Sequence, residues 1–272
     1  MRPYYFISGL PRSGSTLLSA ILKQNPDIHA GMSSPVLGLI SALQKGMSNA
    51  SEYGVFINDE RRRNVLRGFF DNYYASVPQR IIFDTNRAWS HRLSTLLQIF
   101  PDAKVICCVR PILEIIDSIE RLHAASPLQL SRMFNFDPDI NIYGRVEKLM
   151  SQSGLVGSTL SGLRDACHGP YSEHLLLVSY EALASDPKET IQQIYDFIGE
   201  GQFDHNFENV AFNADEFDQQ FGLPGLHRVA QKVSYTRRPV SLPPDIIARN
   251  LGQEFWMSPD DGSKAHRISH GA

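Results

Sequence analysis

Short apolar runs alternate with amphipathic stretches along most of the chain, and the change of period separates strands from helices. Tyr4-Tyr5-Phe6-Ile7-Ser8 reads as a buried strand, followed by a Gly/Pro/Ser loop and a helix that begins near Thr16 and stops at Asn25-Pro26. Arg80-Ile81-Ile82-Phe83-Asp84 predicts a second strand. A helix follows it, with Ser90 as N-cap, Leu93, Leu96, Leu97 and Phe100 on one face, and Pro101 beyond its end. Lys104-Val105-Ile106-Cys107-Cys108-Val109 is continuously apolar, as a parallel strand covered on both faces requires, and a helix runs on from about Ile112 to Leu122. Leu175-Leu176-Leu177-Val178 makes a fourth strand, ending at Tyr180. Asp186-Pro187-Lys188-Glu189 then opens a helix as a capping box with Pro at its first position, and Gly199 closes it. Residues 120–170 read as mainly helical, the stretch from about Gln202 as loop-rich, and the residues from about 257 as a mobile polar tail. Strands alternating with helices of this length give a P-loop-like α/β fold: a parallel sheet flanked by helices, one domain over 1–272 with a helical and loop substrate region.

Composition narrows the function. The 272 residues are 42% hydrophobic and 20% charged, an ordinary globular balance. The formal net charge of −3 disfavours general nucleic-acid binding while leaving room for a local cationic pocket. Arg61-Arg62-Arg63 with Arg67 fits a solvated helix face. Cys107, Cys108 and Cys167 are few, and two are adjacent, which suits reduced thiols and neither a redox pair nor a zinc site. The apolar run at the N-terminus is too short for a secretion signal and no segment reaches membrane-spanning length, so the expected location is the cytoplasm, and the sequon Asn49-Ala50-Ser51 then carries no meaning. A homo-oligomer stays open.

The candidate chemistry begins at Gly9-Leu10-Pro11-Arg12-Ser13-Gly14-Ser15-Thr16, between a strand and a helix, where backbone N–H groups and the helix dipole favour a phosphate. The loop of nucleotide triphosphatases ends Gly-Lys-Ser/Thr, with the lysine on the terminal phosphates and the hydroxyl on magnesium. Here Ser15 stands in the lysine position and the positive charge moves forward to Arg12. Such a loop can wrap one terminal phosphate with the N–H groups of Ser13, Gly14, Ser15 and Thr16, while Arg12 faces the group being transferred. A tight strand-to-helix turn without a ligand is the plainer alternative.

The loop resembles the 5′-phosphosulfate loop of the sulfotransferases, whose recurring form is Pro-Lys/Arg-Ser-Gly-Thr/Ser-Thr. Arg110, at the end of the third strand, and Ser118, eight residues on, are similar to the pair that holds the 3′-phosphate of the donor in that family, an arrangement of charge-assisted bonds and a hydroxyl. Val178-Ser179-Tyr180-Glu181-Ala182-Leu183 with Asp186-Pro187 and Phe197-Ile198-Gly199 resembles a further family segment, in which the tyrosine lies near the adenine. Leu226-His227-Arg228-Val229 and Gln231-Lys232-Val233 are similar to the C-terminal loop of the tyrosylprotein branch, making Arg228 and Lys232 donor-binding candidates. The resemblance implies a sulfuryl donor, 3′-phosphoadenosine-5′-phosphosulfate, released as adenosine 3′,5′-bisphosphate, and an acceptor hydroxyl on a small molecule, a carbohydrate or a peptide tyrosine. A kinase or triphosphatase with a relocated lysine, and a non-catalytic nucleotide-binding protein, are the competing readings.

In-line sulfuryl transfer depends chiefly on placed cations and N–H groups. Arg12 is the expected stabiliser, with Arg87 beside it, and no metal is required: there is no HExxH or Cys/His cluster to hold one. The general base is less legible. The Lys-x-His of the cytosolic enzymes is replaced by Phe83-Asp84-Thr85-Asn86-Arg87, and the Gly-Glu-Glu of the tyrosylprotein enzymes by Gly31-Met32-Ser33. Asp84, at a carboxyl strand end, is therefore the first-choice base, with His29, His91 and His123 behind it. Met32 to Leu39, Phe134-Asn135-Phe136 and Phe203, Phe207, Phe212, Phe217 and Phe221 are candidate acceptor contacts.

Overall fold

Six parallel strands form the sheet in a computed structural model that describes residues 2–48, 52–258 and 262–270. The strands are β1 (Tyr4–Gly9), β2 (Ile28–Ala30), β3 (Ile81–Thr85), β4 (Val105–Val109), β5 (Leu175–Ser179) and β6 (His266–Ile268), ordered β2-β3-β1-β4-β5-β6. The helices are α1 (Ser15–Leu22), α2 (Val36–Gly46), α3 (Asp59–Tyr73), α4 (Leu93–Ile99), α5 (Ile112–Ala125), α6 (Ile142–Met150), α7 (Leu155–His168), α8 (Tyr180–Ser185), α9 (Pro187–Ile198), α10 (Asp215–Phe221) and α11 (Pro244–Asn250). None of the described helices is long and apolar enough to cross a membrane.

Strand alternation builds two cores. Tyr4, Phe6, Ile82, Val105, Cys107, Leu175 and Leu177 point to one face, under α2 to α5 and α7. Tyr5, Ile7, Phe83, Ile106, Cys108, Leu176 and Val178 point to the other, under α1, α8 and α9. That is the period of two expected of a pleated strand buried on both sides. The chain adds β2 and β3 on one side of β1 and then β4 to β6 on the other. The order therefore reverses at β1, and a crevice opens beyond the carboxyl ends of β1, β3 and β4, where parallel sheets place their ligands.

The four strands read from the sequence are present, and two more join them. β2 is only three residues long, its pairing fixed by tertiary contact with β3 at Ile28–Ile81 and Ala30–Phe83. The expected mobile tail from 257 is corrected in its last part: His266–Ile268 pairs with Leu176–Val178 and buries Ile268, so it covers the edge of β5. Two caps also differ. Ser90 opens a 3-10 turn ahead of α4 and gives no side-chain cap, and Asp186 occupies the N-cap position of α9 without the capping hydrogen bond, although Pro187 and a left-handed Gly199 (φ 73°) stand where expected. The sequon at 49–51 lies outside the described residues.

Candidate active site

The loop after β1 is shaped by side chains that turn away from the crevice. Gly9 has φ 115°, and a Cβ there would sit 2.1 Å from the Cys108 carbonyl oxygen on β4. Only glycine fits so close an approach. Ser13 is buried; its hydroxyl donates to the carbonyls of Leu10 and Cys108 and ties the loop to β4. Arg12 takes φ 57°, an uncommon conformation for a residue with a Cβ and one that concentrates at functional sites. Gly14, with φ 97°, is the N-cap of α1, and a Cβ on it would lie 2.9 Å from the Tyr180 ring. Gly14, Ser15 and Thr16 line the crevice at this helix N-terminus with Pro11 and Arg12, and the Ser13 hydroxyl clamps the loop to β4 while its backbone N–H stays the expected phosphate donor.

Cations surround this cradle. The Arg12 Nε–H donates to the Ser118 hydroxyl on α5 at 3.1 Å, and an Arg110 Nη1–H donates to the Arg12 carbonyl at 3.3 Å. Arg110 also pairs with Glu114 at 2.9 Å and lies 4.6 Å over the Tyr180 ring. The sequence-predicted set Arg12, Arg110, Ser118 and Tyr180 is thus brought together, although Ser118 meets Arg12 and does not itself line the crevice. Burial and then the neighbouring Arg110 hold the Arg12 pKa below its ordinary value, while Tyr180 and Asp218 oppose the shift. Arg87 lines the same crevice from the loop after β3, where the Ser8 hydroxyl donates to its carbonyl at 2.7 Å, and enclosure by protein lowers its pKa too. Arg228 and Lys232 line the mouth. Lys232 is exposed and paired with Glu208 at 2.7 Å.

Asp84 does not fit the role of base. The β3 alternation turns it to the face of Ile82, where it is fully buried and lines no crevice. Its carboxylate accepts from Ser34 (2.7 and 2.8 Å), Tyr74 (2.5 Å) and the Trp89 Nε1–H (2.7 Å). Burial raises its pKa against these three donors. It anchors the loops that carry Ser33 and Arg87 and cannot reach an acceptor. His29, His91 and His123 also lie off the crevice lining.

The histidine that does line it is His227. Its Nδ1 meets Asp218 Oδ1 at 2.5 Å, and its backbone N–H donates to Asp218 Oδ2 at 2.8 Å. Asp218 on α10 is almost wholly buried, with side-chain exposure 2%. A carboxylate accepts only, so Nδ1 carries the proton and Nε2 is the basic atom. Burial lowers the His227 pKa, Asp218 partly opposes that, and the charges of Arg12 and Arg87 lower it further. The signal was present in the spacing Asp218 to His227 around a Gly-Leu-Pro-Gly turn, but nothing local says that this turn folds back over the loop after β1. Of the other loop residues named for the acceptor, Met32, Ser33, Phe217 and Phe221 line the crevice, while Phe134 packs in one core and Phe207 and Phe212 against the other.

A family model described as the sulfotransferase family matches residues 3–204. The protein-tyrosine sulfotransferase of Drosophila melanogaster is 21% identical over 260 residues, 92% of this chain and 47% of that protein. Protein-tyrosine sulfotransferase 1 of Mus musculus is 30% identical over 115 residues, 40% of this chain and 31% of that protein. The chain spans less than half the length of these curated relatives. Among solved structures, the sulfotransferase domain from the Synechococcus PCC 7002 olefin synthase shares the fold at a TM-score of 0.53 and 22% identity, over 90% of this chain and 92% of that one. With its lysine-free phosphate loop and the arginine after β4, the chain belongs to the sulfotransferase family.

Proposed function

We propose that this protein transfers a sulfuryl group from 3′-phosphoadenosine-5′-phosphosulfate to an acceptor hydroxyl. The observation that carries the reading is the placement of Arg110 beside a loop whose lysine position is Ser15: it offers a second anion site next to the N-terminus of α1. In this reading the N–H groups of Ser13, Gly14, Ser15 and Thr16 receive the 5′-phosphate, Arg110 with Ser118 nearby the 3′-phosphate, and Tyr180 the adenine side. Arg228 and Lys232 stand at the mouth to close over the donor. We take the cytoplasm as the compartment, a reading supported by three buried cysteine thiols.

Arg12 and Arg87 are placed to meet charge that spreads over the sulfuryl and leaving-group oxygens. His227 takes the acceptor proton on Nε2 while Asp218 holds the ring and its tautomer. The bond between sulfur and the 5′-phosphate oxygen breaks, its electron pair leaving with adenosine 3′,5′-bisphosphate. A bond from sulfur to the acceptor oxygen forms.

Calorimetric titration tests the donor site. Metal-independent binding of adenosine 3′,5′-bisphosphate, with no comparable binding of ATP–magnesium, is expected; the reverse preference sinks the proposal. Arg110→Ala should weaken the bisphosphate about tenfold to a hundredfold, the worth of charge-assisted bonds, and leave adenosine 5′-phosphosulfate nearly unaffected.

A further inference from the structure

The carboxylate that meets Arg110 is placed unlike an ordinary surface partner. Arg110 precedes α5 by two residues, and Glu114 lies in the first turn of that helix. The Arg110 Nε–H donates to Glu114 Oε2 at 2.9 Å, and the two side chains are only 17% and 19% exposed. An acid in a first turn commonly serves the free N–H groups of its own helix. Here Glu254 does so, its Oε1 accepting from the Ile112 N–H at 2.9 Å, and Glu114 Oε2 turns to the arginine instead.

Arg110 is thereby held on three sides. Glu114 takes Nε, the Arg12 carbonyl accepts from Nη1 at 3.3 Å, and the Tyr180 ring lies 4.6 Å under one face. The ring is backed in turn by Tyr235, edge-on at 6.2 Å, and by Gly14 of the β1 loop. A guanidinium can clasp an oxyanion side-on through Nε and Nη2 or end-on through its two Nη groups. Engaging Nε closes the first approach and leaves the second. Among the described residues Nη2 has no protein acceptor, and Nη1 keeps a second N–H. Arg110 lines the crevice and Glu114 does not, so the carboxylate grips the arginine from outside the anion site. It also offsets the repulsion between Arg110 and Arg12, whose charges act on each other across the β1 loop.

We infer that Glu114 is a positioning residue for the 3′-phosphate: it holds the Arg110 guanidinium on the Tyr180 ring with its Nη edge toward the crevice. This rests on the reading of Arg110 as the 3′-phosphate site and names the residue that makes the site selective. Calorimetry compares adenosine 3′,5′-bisphosphate with adenosine 5′-phosphosulfate, which lacks the 3′-phosphate. Glu114→Ala should weaken the bisphosphate about tenfold and the phosphosulfate by less than about twofold. Glu114→Gln, whose amide oxygen still accepts from Nε, should stay within about threefold of the unaltered protein for both ligands. Added to Arg110→Ala, Glu114→Ala should change nothing further, because its effect runs through the arginine. Unchanged or tighter bisphosphate binding by Glu114→Ala overturns the inference, since a carboxylate that merely competes for the arginine gives that result when removed. Equal weakening of both ligands, or a loss that persists without Arg110, assigns Glu114 to general support of the fold and overturns it as well. An unaltered protein that binds the two ligands equally overturns the 3′-phosphate reading of Arg110 itself.

Discussion

Three donors converge on Asp84, and their number explains both its burial and its unsuitability as a base. A buried carboxylate is tolerated only when its lone pairs are met, and the Trp89 N–H can do nothing but donate. Asp84→Asn keeps the volume but turns an N–H₂ toward one of those donors. It should lower unfolding free energy by about 1–3 kcal/mol, the cost of a buried unsatisfied group, and Asp84→Ala should cost more. Denaturant midpoints check this, and an Asn variant of unchanged stability but abolished transferase activity would restore the base reading. The contrast with His227 marks what one residue's identity conveys. Asp84 looked catalytic because it ends a strand, yet which face it takes follows from the Ile82 alternation, and that face belongs to the core. His227 carried no local mark, because its partner and its target lie in a turn and a loop that meet only in three dimensions.

Elements with strong internal periodicity were legible, and the site residues attached to their ends came with them. β1, β3, β4 and β5 are each five or six residues of nearly unbroken burial, so their positions, and those of Arg12, Arg110 and Tyr180 just beyond them, follow from pattern alone. β2 and β6 are three residues each and owe their extended form to neighbours, which no local pattern encodes. The loop after β1 combines both kinds of constraint. Its Gly-x-x-x-x-Gly pattern is a sequence signal, but the reason for Gly9 is the β4 backbone lying against its Cα. Gly9→Ala should therefore do more than strain φ. It must push β1 from β4, lowering stability by about 3 kcal/mol or more or preventing soluble folding. Gly14→Ala also strains a φ of 97°, but it meets side chains of Tyr180 and Leu183 and no backbone, so it should cost less stability than Gly9→Ala while weakening bisphosphate binding. Thermal unfolding and calorimetry separate the two, and equal loss of stability in both would show that the β1–β4 contact is not what sets the loop.

At the scale of the whole molecule the site joins the two ends of the chain: Arg12 after β1, Arg87 after β3, and a histidine held by α10 and the turn that follows. Gly222, at φ 75° with the Leu130 carbonyl 2.7 Å from where a Cβ would be, fixes how that turn packs over the loop before α6. The charges facing His227 from these segments are Asp218, Arg12 and Arg87, and with burial their balance holds its pKa below the ordinary value of 6.5. A neutral imidazole accepts a proton and an imidazolium does not, so kcat should be flat at neutral pH and fall tenfold per unit only in acid, below that ordinary value. Asp218→Asn removes the two contributions that raise the pKa, so its acid limb should move lower still. Its kcat should also drop about 100-fold or more, as the ring loses its tautomer and orientation. His227→Ala should lose the limb altogether together with about 10²- to 10⁴-fold in kcat, while the bisphosphate Kd stays within about threefold. A pH–rate profile of the three proteins is decisive, because a structural role for the pair would lower activity without moving the limb. An acid limb that persists unchanged in His227→Ala assigns the proton transfer to another group.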